Sequence, residues 1–138
     1  MSTVTATILG GVSVFVLGQI VLKFFLDPIY EQRKVLGQVA NGLIYHAQWH
    51  ANPGKDDLNG QRSAAADDLR RISCDLLAVS HAVPVYRFWA IIRVIPPWKN
   101  VRNAHGQLIF LSNSMFQGDP LRNAQAVDSI KSLLRMRF

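Results

Sequence analysis

The first 22 residues contain no Lys, Arg, Asp or Glu, and this uncharged stretch constrains the fold more than any other feature. From Val4 to Leu22 the sequence is apolar on every side of a helical wheel, which is rare for a helix in a soluble core. At 1.5 Å per residue, about 19 residues span roughly 28 Å, close to the thickness of the hydrocarbon core of a bilayer. We therefore predict a transmembrane anchor over residues 1–26.

The residues that flank this stretch indicate an uncleaved anchor and its orientation. No basic side chain precedes the apolar run and no small-residue cleavage site follows it, as a secretory signal peptide would require. Lys23, Arg33 and Lys34 follow the run, and positive residues are retained on the cytoplasmic side. We expect a single-pass protein of the bacterial inner membrane, with its N-terminus outside and a basic domain, residues 27–138, in the cytoplasm.

Small and polar side chains inside the apolar run predict self-association of the anchor. Ala6 and Gly10 are four residues apart, Gly11 and Gly18 are seven apart, and such spacings allow helices to approach closely. Gln19 either hydrogen-bonds across a dimer or reaches the lipid headgroups. The alternative is that these glycines have no partner, since glycine is common in membrane helices.

Residues 27–138 show helical periodicity and no convincing strand pattern. In residues 62–82 one face is apolar, with Ala65, Leu69, Ile72, Leu76, Val79 and Val83, and the other carries Asp67, Arg71 and Asp75. Further apolar stripes are Ile29, Leu36, Ala40, Leu43 and Ala47 with Ile44 beside them, then Ala104, Leu108, Leu111 and Met115, then Val127, Ile130 and Leu134. The sequence predicts an all-α protein, in which one transmembrane helix precedes a bundle of about four helices and a short aromatic helix.

Two proline-containing junctions divide these stripes. Asp27-Pro28 either caps and begins a new helix, or lies within a kinked continuation of the anchor. Gly118-Asp119-Pro120 has the order of a helix stop, an N-cap and a first helical residue. We therefore expect the last helix to begin at Pro120.

The segment from Val85 to Arg102 combines aromatic and basic side chains in an interval that lacks acidic residues. Such a mixture is typical of a membrane interface, where rings lie at headgroup depth and cations contact anionic lipid. The candidate interface residues are Arg87, Phe88, Trp89, Arg93, Trp98, Lys99 and Arg102, beside an apolar face of Val85, Phe88, Ile92 and Ile95. Core packing is the alternative, and stacking on single-stranded nucleic acid uses similar residues but finds no supporting motif here.

A second candidate site lies around residues 45–50. His46 and His50 are four apart on a predicted helix and could hold a metal, although Ala47 replaces the glutamate of a zincin motif. The alternative is that both histidines lie at the boundary between core and solvent. Tyr45 and Trp49 form either a partner-binding patch or a packing contact within the bundle.

Composition and motifs restrict the function without identifying it. The net charge of +6 falls entirely on residues 23–138 and favours anionic lipid headgroups over nucleic acid as a partner. Cys74 is the only cysteine, and it falls on the polar side of its helix, as an ordinary free thiol would. No nucleophile elbow, P-loop or dinucleotide motif occurs. We predict a non-enzymatic interaction or scaffold module without a cofactor, bound to lipid and to a protein partner or second copy; the alternatives are a metal-dependent enzyme or sensor, or a membrane-active protein.

Overall fold

The computed structural model describes residues 2–138, and all regular elements in that range are helical, which confirms the all-α prediction. The helices are α1 (Thr3–Val21), α2 (Asp27–Tyr45), α3 (Ala47–Ala51), α4 (Gln61–His81), α5 (Tyr86–Ile91), α6 (Trp98–Gln117) and α7 (Pro120–Leu134). Four long helices, α2, α4, α6 and α7, form the bundle, and α5 is the short aromatic helix.

One uninterrupted helix of 43 residues runs from Thr3 to Tyr45, and its first part is long and apolar enough to cross a membrane. Asp27 does not cap a new helix, because its own backbone is helical and its N–H donates to the carbonyl of Leu22. Pro28 has no N–H, and its ring would collide with the carbonyl four residues earlier in a regular α-helix. A single π-helical turn, Leu22–Leu26, widens the helix just before this proline and connects α1 to α2 without a break.

The hydrophobic core is built around α4 and α6, since α4 packs against both α2 and α6, and α7 packs on α6. The apolar stripes predicted for α4 and α6 are buried, except that Val79 is only partly buried. The largest fully enclosed side chains of the two stripes are Leu69, Leu76, Leu108, Leu111 and Met115. On the opposite side of α4, Asp67, Arg71, Cys74 and Asp75 are exposed, as expected. The N-cap at Asp119 is also confirmed, because its carboxylate accepts a hydrogen bond from the N–H of Leu121.

The buried face of α2 differs from the predicted stripe. Ile44 is 58% exposed, whereas Val35 and Val39 are buried. The reason is Gln32, which a polarity pattern assigns to the surface but which is fully buried. Its Nε2 donates hydrogen bonds to Ser80 Oγ at 2.8 Å and to Tyr86 Oη at 2.9 Å. These two bonds use both protons of the side-chain nitrogen, whereas Oε1 of Gln32 has no hydrogen-bond partner within the described residues. The buried face of α2 is therefore centred on Gln32, Val35 and Val39.

Arg62 joins three parts of the domain from a position that is only 6% exposed. Its Nη1 donates to the carbonyl oxygens of Met115 at 2.7 Å and Asn52 at 3.0 Å, and its Nε donates to that of Asp56 at 2.9 Å. The guanidinium carbon also lies 5.0 Å from the ring centre of Trp49. The side chain therefore satisfies carbonyls at the end of α6 and in the loop before α4.

Asp57 fixes the start of α4. Its carboxylate accepts hydrogen bonds from the hydroxyl of Ser63 at 2.6 Å and from the N–H of Ser63 at 2.8 Å. These bonds stabilise the charged form and lower the pKa of Asp57 below its ordinary 3.8. Between Asp57 and α4, the chain turns through the left-handed backbone conformations of Leu58, Asn59 and Gly60.

We expect the Asp57→Asn variant to lose part of the pH dependence of stability in acid. The folded-state pKa of Asp57 lies below the unfolded value, so the ionised carboxylate stabilises the fold above pH 3.8. That contribution disappears as the pH falls through the folded-state pKa. Melting midpoints of the two proteins should differ at about pH 7 and converge as the pH falls through the folded-state pKa of Asp57. The Asp56→Asn variant removes the same charge without the Ser63 bonds and should follow the wild type; a constant difference between Asp57→Asn and wild type at every pH would contradict this account.

Candidate membrane interface

The short helix α5 is attached to the beginning of α2. Ile29, Val83 and Ile95 form a small buried cluster of their own, and Trp89, Ala90 and Val94 pack against it. Ile29 is three residues beyond Leu26, and therefore only about 4.5 Å further along the helix axis. The fold thus places α5 at the end of the bundle that is nearest the long apolar helix.

Four apolar side chains of this segment face outward and form what we call the α5 patch: Val85, Phe88, Ile91 and Ile92. Phe88 is 51% exposed and Ile91 is 76% exposed, values that are high for large hydrophobic residues. The sequence had assigned Ile95 to this exposed face, but Ile95 is buried in the cluster with Ile29. The helix ends near Ile92, so a helical wheel extended to Ile95 placed it on the wrong side.

Of the two tryptophans of the segment, Trp89 contacts the patch and Trp98 packs against other aromatic rings. The Nε1 of Trp89 donates to the carbonyl of Pro84 at 3.0 Å, and its ring contacts Phe88 edge-on, with 5.1 Å between ring centres. Trp98 packs edge-on against His81 and Tyr86, at 4.6 and 5.5 Å between ring centres. Both tryptophans are half-buried, so replacing either one would disturb the fold as well as any surface contact.

Tyr86 holds the two ends of the segment together. Its hydroxyl donates to the carbonyl of Pro96 at 2.6 Å and accepts from Nε2 of Gln32. Partial burial raises the pKa of Tyr86 above its ordinary 10.0, against the opposing effect of the neighbouring polar groups of Gln32 and Ser80. The tyrosine is therefore a neutral hydrogen-bond donor, and it fixes α5 and the following turn to α2.

The predicted cations surround this end of the domain. Arg87, Arg93, Lys99 and Arg102 are all exposed, and none of them forms an ion pair within residues 2–138. Arg87 lies within α5 and Arg93 directly follows the patch, while Lys99 and Arg102 belong to the first two turns of α6. The structure therefore brings together an exposed apolar patch and uncompensated positive charge.

The histidine pair is occupied by separate hydrogen bonds. His46 Nε2 lies 2.8 Å from Asp68 Oδ2, whereas His50 Nε2 donates to the carbonyl of Leu43 at 3.0 Å. The helix breaks at His46, where φ is −95° and ψ is 14°, so the two rings do not extend from one regular helical face. In the described part of the chain, no three His, Cys, Asp or Glu side chains are grouped closely enough to hold a metal ion.

Tyr45 and Trp49 have different environments. Tyr45 is 76% exposed at the end of α2, and Trp49 is buried under Arg62. Ile44 and Tyr45 line an open groove between α2, α3 and α4, and His46 and Asp68 form part of its wall. This groove lies at the opposite end of α2 from the α5 patch, about 27 Å away along the helix axis.

The small residues of α1 have no neighbours in the single chain. Ala6, Gly10, Gly11, Gly18 and Gln19 are all exposed, and open space surrounds the three glycines. Self-association through this helix stays a prediction.

Two groups of functional candidates were missed by the sequence reasoning. Ile91 is the most exposed member of the α5 patch, and its position one turn after Phe88 was the available signal. Arg33 and the pair Arg135 and Arg137 line a groove with Arg93, although these three parts of the chain are far apart in sequence. No local pattern reveals that grouping, because it depends on how α7 and the turn after α5 pack beside α2.

No protein-family model, curated protein or solved structure matches this chain.

Proposed function

We propose that the chain is a non-enzymatic interaction module, anchored in the bacterial inner membrane by α1 and resting on the cytoplasmic surface through the α5 patch. The single observation that supports this is the position of the patch. Exposed Phe88 and Ile91 lie at the end of the domain where α2 emerges from the long apolar helix. In this arrangement the N-terminus is outside, and Lys23 is the first charged residue on the inner side.

The energetics favour contact with anionic lipid. Transfer of an exposed Phe or Ile side chain out of water is worth about 1.5–3 kcal/mol when burial is complete, and less at a partly hydrated interface. Each arginine or lysine near an anionic surface adds about 1 kcal/mol, which salt weakens. Because the anchor already holds the domain at the bilayer, these gains need only orient the domain and need not recruit it from solution.

Two other surfaces support an interaction role. The groove beside Tyr45 faces away from the membrane end of the domain and exposes apolar side chains to a partner. The glycine face of α1 would allow a second copy to approach within the bilayer. Both are parts of the proposed scaffold role.

Hydrogen exchange of the full chain in lipid nanodiscs tests the orientation of the domain. We expect the backbone amides of α5, Tyr86–Ile91, to exchange more slowly in nanodiscs rich in phosphatidylglycerol than in phosphatidylcholine nanodiscs. High salt should reduce the difference. The Phe88→Ser, Ile91→Ser double variant should abolish it, because both side chains are exposed and their loss leaves the buried cluster intact.

Ile44→Ser with Tyr45→Ser is the matched control, since it removes an equally exposed apolar pair at the far end of α2. This control should retain the protection of α5. If α5 exchanges equally fast in both lipids, or if both double variants lose protection alike, the interface proposal is wrong.

A further inference from the structure

Four arginines line one groove on the side of the domain. The groove has a volume of about 410 Å³ and lies between α2, the turn after α5 and the residues that follow α7. Arg33, Arg93, Arg135 and Arg137 surround it, and Leu36 and Met136 contribute apolar surface. It therefore combines a concentrated positive charge with a partly apolar floor.

The charged side chains of this groove are all positive. No aspartate or glutamate belongs to its lining in the described range of the chain. Within residues 2–138 none of the four guanidinium groups makes an ion pair. Like charges so close together repel one another, and an anion that entered the groove would relieve that repulsion.

Arg93 occupies a backbone conformation that favours glycine. The N–H of Val94 donates to the carbonyl of Trp89 at 3.1 Å, and the N–H of Arg93 donates to that of Ala90 at 3.2 Å. This pair of bonds is the Schellman motif, which ends a helix with a left-handed residue. Arg93 is that residue, with φ at +62°.

Arg135 repeats the arrangement at the end of α7. The N–H of Met136 donates to the carbonyl of Lys131 at 2.9 Å, the N–H of Arg135 donates to that of Ser132 at 3.3 Å, and φ of Arg135 is +57°. Glycine is the usual residue at this position because a Cβ there is sterically unfavourable. Two helices distant in sequence thus end in the same motif, each with arginine where glycine fits better, and both arginines line the same groove.

We propose that this groove binds the phosphate-bearing headgroup of an anionic phospholipid in the anchoring membrane. Arginine recognises phosphate through paired, charge-assisted hydrogen bonds, and such a site accounts for arginine at two left-handed positions that glycine fits better. Leu36 and Met136 offer apolar surface to the glycerol and upper acyl part of the lipid.

Lipid is the occupant that the geometry favours. Arg33 lies about 10 Å beyond Leu26, the end of the anchor, along the helix axis. An extended arginine side chain and a lipid headgroup that projects from the bilayer can together span that distance. Arg93 follows directly on the α5 patch, so the assignment to lipid rests on the proposed function, in which that patch lies on the membrane.

The test measures binding to the full chain in uncharged detergent by titration calorimetry. The probes are short-chain phosphatidylglycerol below its micelle concentration, short-chain phosphatidylcholine, glycerol 3-phosphate and inorganic phosphate. We expect phosphatidylglycerol to bind most tightly, and the Arg93→Gly, Arg135→Gly double variant to lose at least about tenfold in affinity. Glycine suits both backbone positions, so this variant should keep the helical circular dichroism of the wild type.

Lys55→Gln with Arg70→Gln is the matched control, because it removes two exposed cations that belong neither to the groove nor to the candidate interface, and it should change affinity by less than about twofold. Arg33→Gln with Arg137→Gln leaves the left-handed positions untouched and should also lose at least about tenfold in affinity. This second variant tests the site even where the glycine variant does not fold. Equal affinity for inorganic phosphate and phosphatidylglycerol would overturn the lipid assignment in favour of a soluble anion. Unchanged binding in both groove variants would overturn the site itself.

Hydrogen exchange of the glycine variant in phosphatidylglycerol nanodiscs separates this inference from the proposed function. Protection of α5 should survive in that variant, since Phe88 and Ile91 are intact. Loss of calorimetric binding with α5 still protected supports a separate headgroup site. If wild-type α5 is unprotected while the groove still binds phosphatidylglycerol, the proposed function fails and the anion site stands.

Discussion

Replacing Arg62 by methionine is expected to destabilise the helical domain by about 3–5 kcal/mol. Methionine retains much of the apolar stem but none of the donors. The carbonyls of Asn52 and Asp56 therefore lose the Arg62 donor, and that of Met115 keeps only the N–H of Gly54. A buried acceptor left without a hydrogen bond costs about 1–3 kcal/mol, and bonds to a charged donor are at the upper end of that range. The stacking of the guanidinium over Trp49 is lost as well.

Denaturant unfolding of the full chain in detergent, followed by near-ultraviolet circular dichroism, measures this effect. Arg70→Met is the matched control, since Arg70 lies on the exposed side of the same helix and its change should stay within about 0.5 kcal/mol. Arg62→Lys should fall between the two, because one ammonium cannot reach all the carbonyls. A loss below about 1 kcal/mol for Arg62→Met would show that the loop is not held by this side chain.

Leu69→Ala and Leu76→Ala should each destabilise the domain by about 2–5 kcal/mol. Both side chains have no exposed surface, and both lie on the face of α4 that meets α2 and α6. Truncation removes apolar contacts from the centre of the bundle and leaves a cavity that the packed helices cannot fully close.

The same unfolding experiment applies, with Cys74→Ala as the control on the exposed side of α4. Losses below about 1 kcal/mol at both leucines would contradict the central role of this helix in the core.

The helices at the centre of the bundle could be predicted from sequence because their surroundings are uniform. Most inward positions of α4 and α6 are apolar, so a period of 3.6 residues is visible in the sequence. The N-cap at Asp119 could be predicted for a similar reason, since it requires only a short side chain with a hydrogen-bond acceptor directly before Pro120. In these regions local preference and tertiary packing agree.

The remaining features depend on partners distant in the chain. Gln32 and Arg62 have polar side chains, but both are buried, and carbonyls or hydroxyls from other elements accept hydrogen bonds from their N–H groups. The continuity of α1 with α2 depends on whether a wider turn can accommodate Pro28, which a sequence pattern does not decide. A prediction from polarity alone therefore places Gln32 and Arg62 at the surface.

The candidate interface shows the same division. The sequence identified the aromatic and basic segment, but the structure determines that Phe88 is exposed, that Trp89 supports it, and that Ile95 is buried. Residue type cannot separate these roles, since all three are apolar or aromatic. The arginine groove needed the fold itself, because Arg33, Arg93 and Arg135 meet only after three elements pack together.

The central claim is that the α5 patch faces the bilayer while the far end of α2 faces the cytoplasm. Spin labels on Ile91→Cys and Tyr45→Cys in a Cys74→Ser background compare two residues that are both 76% exposed in the fold. In nanodiscs containing phosphatidylglycerol, we expect the Ile91 label to be accessible to oxygen and shielded from a water-soluble relaxing agent. The Tyr45 label should behave as fully aqueous. Equal aqueous accessibility at the two positions would contradict the account.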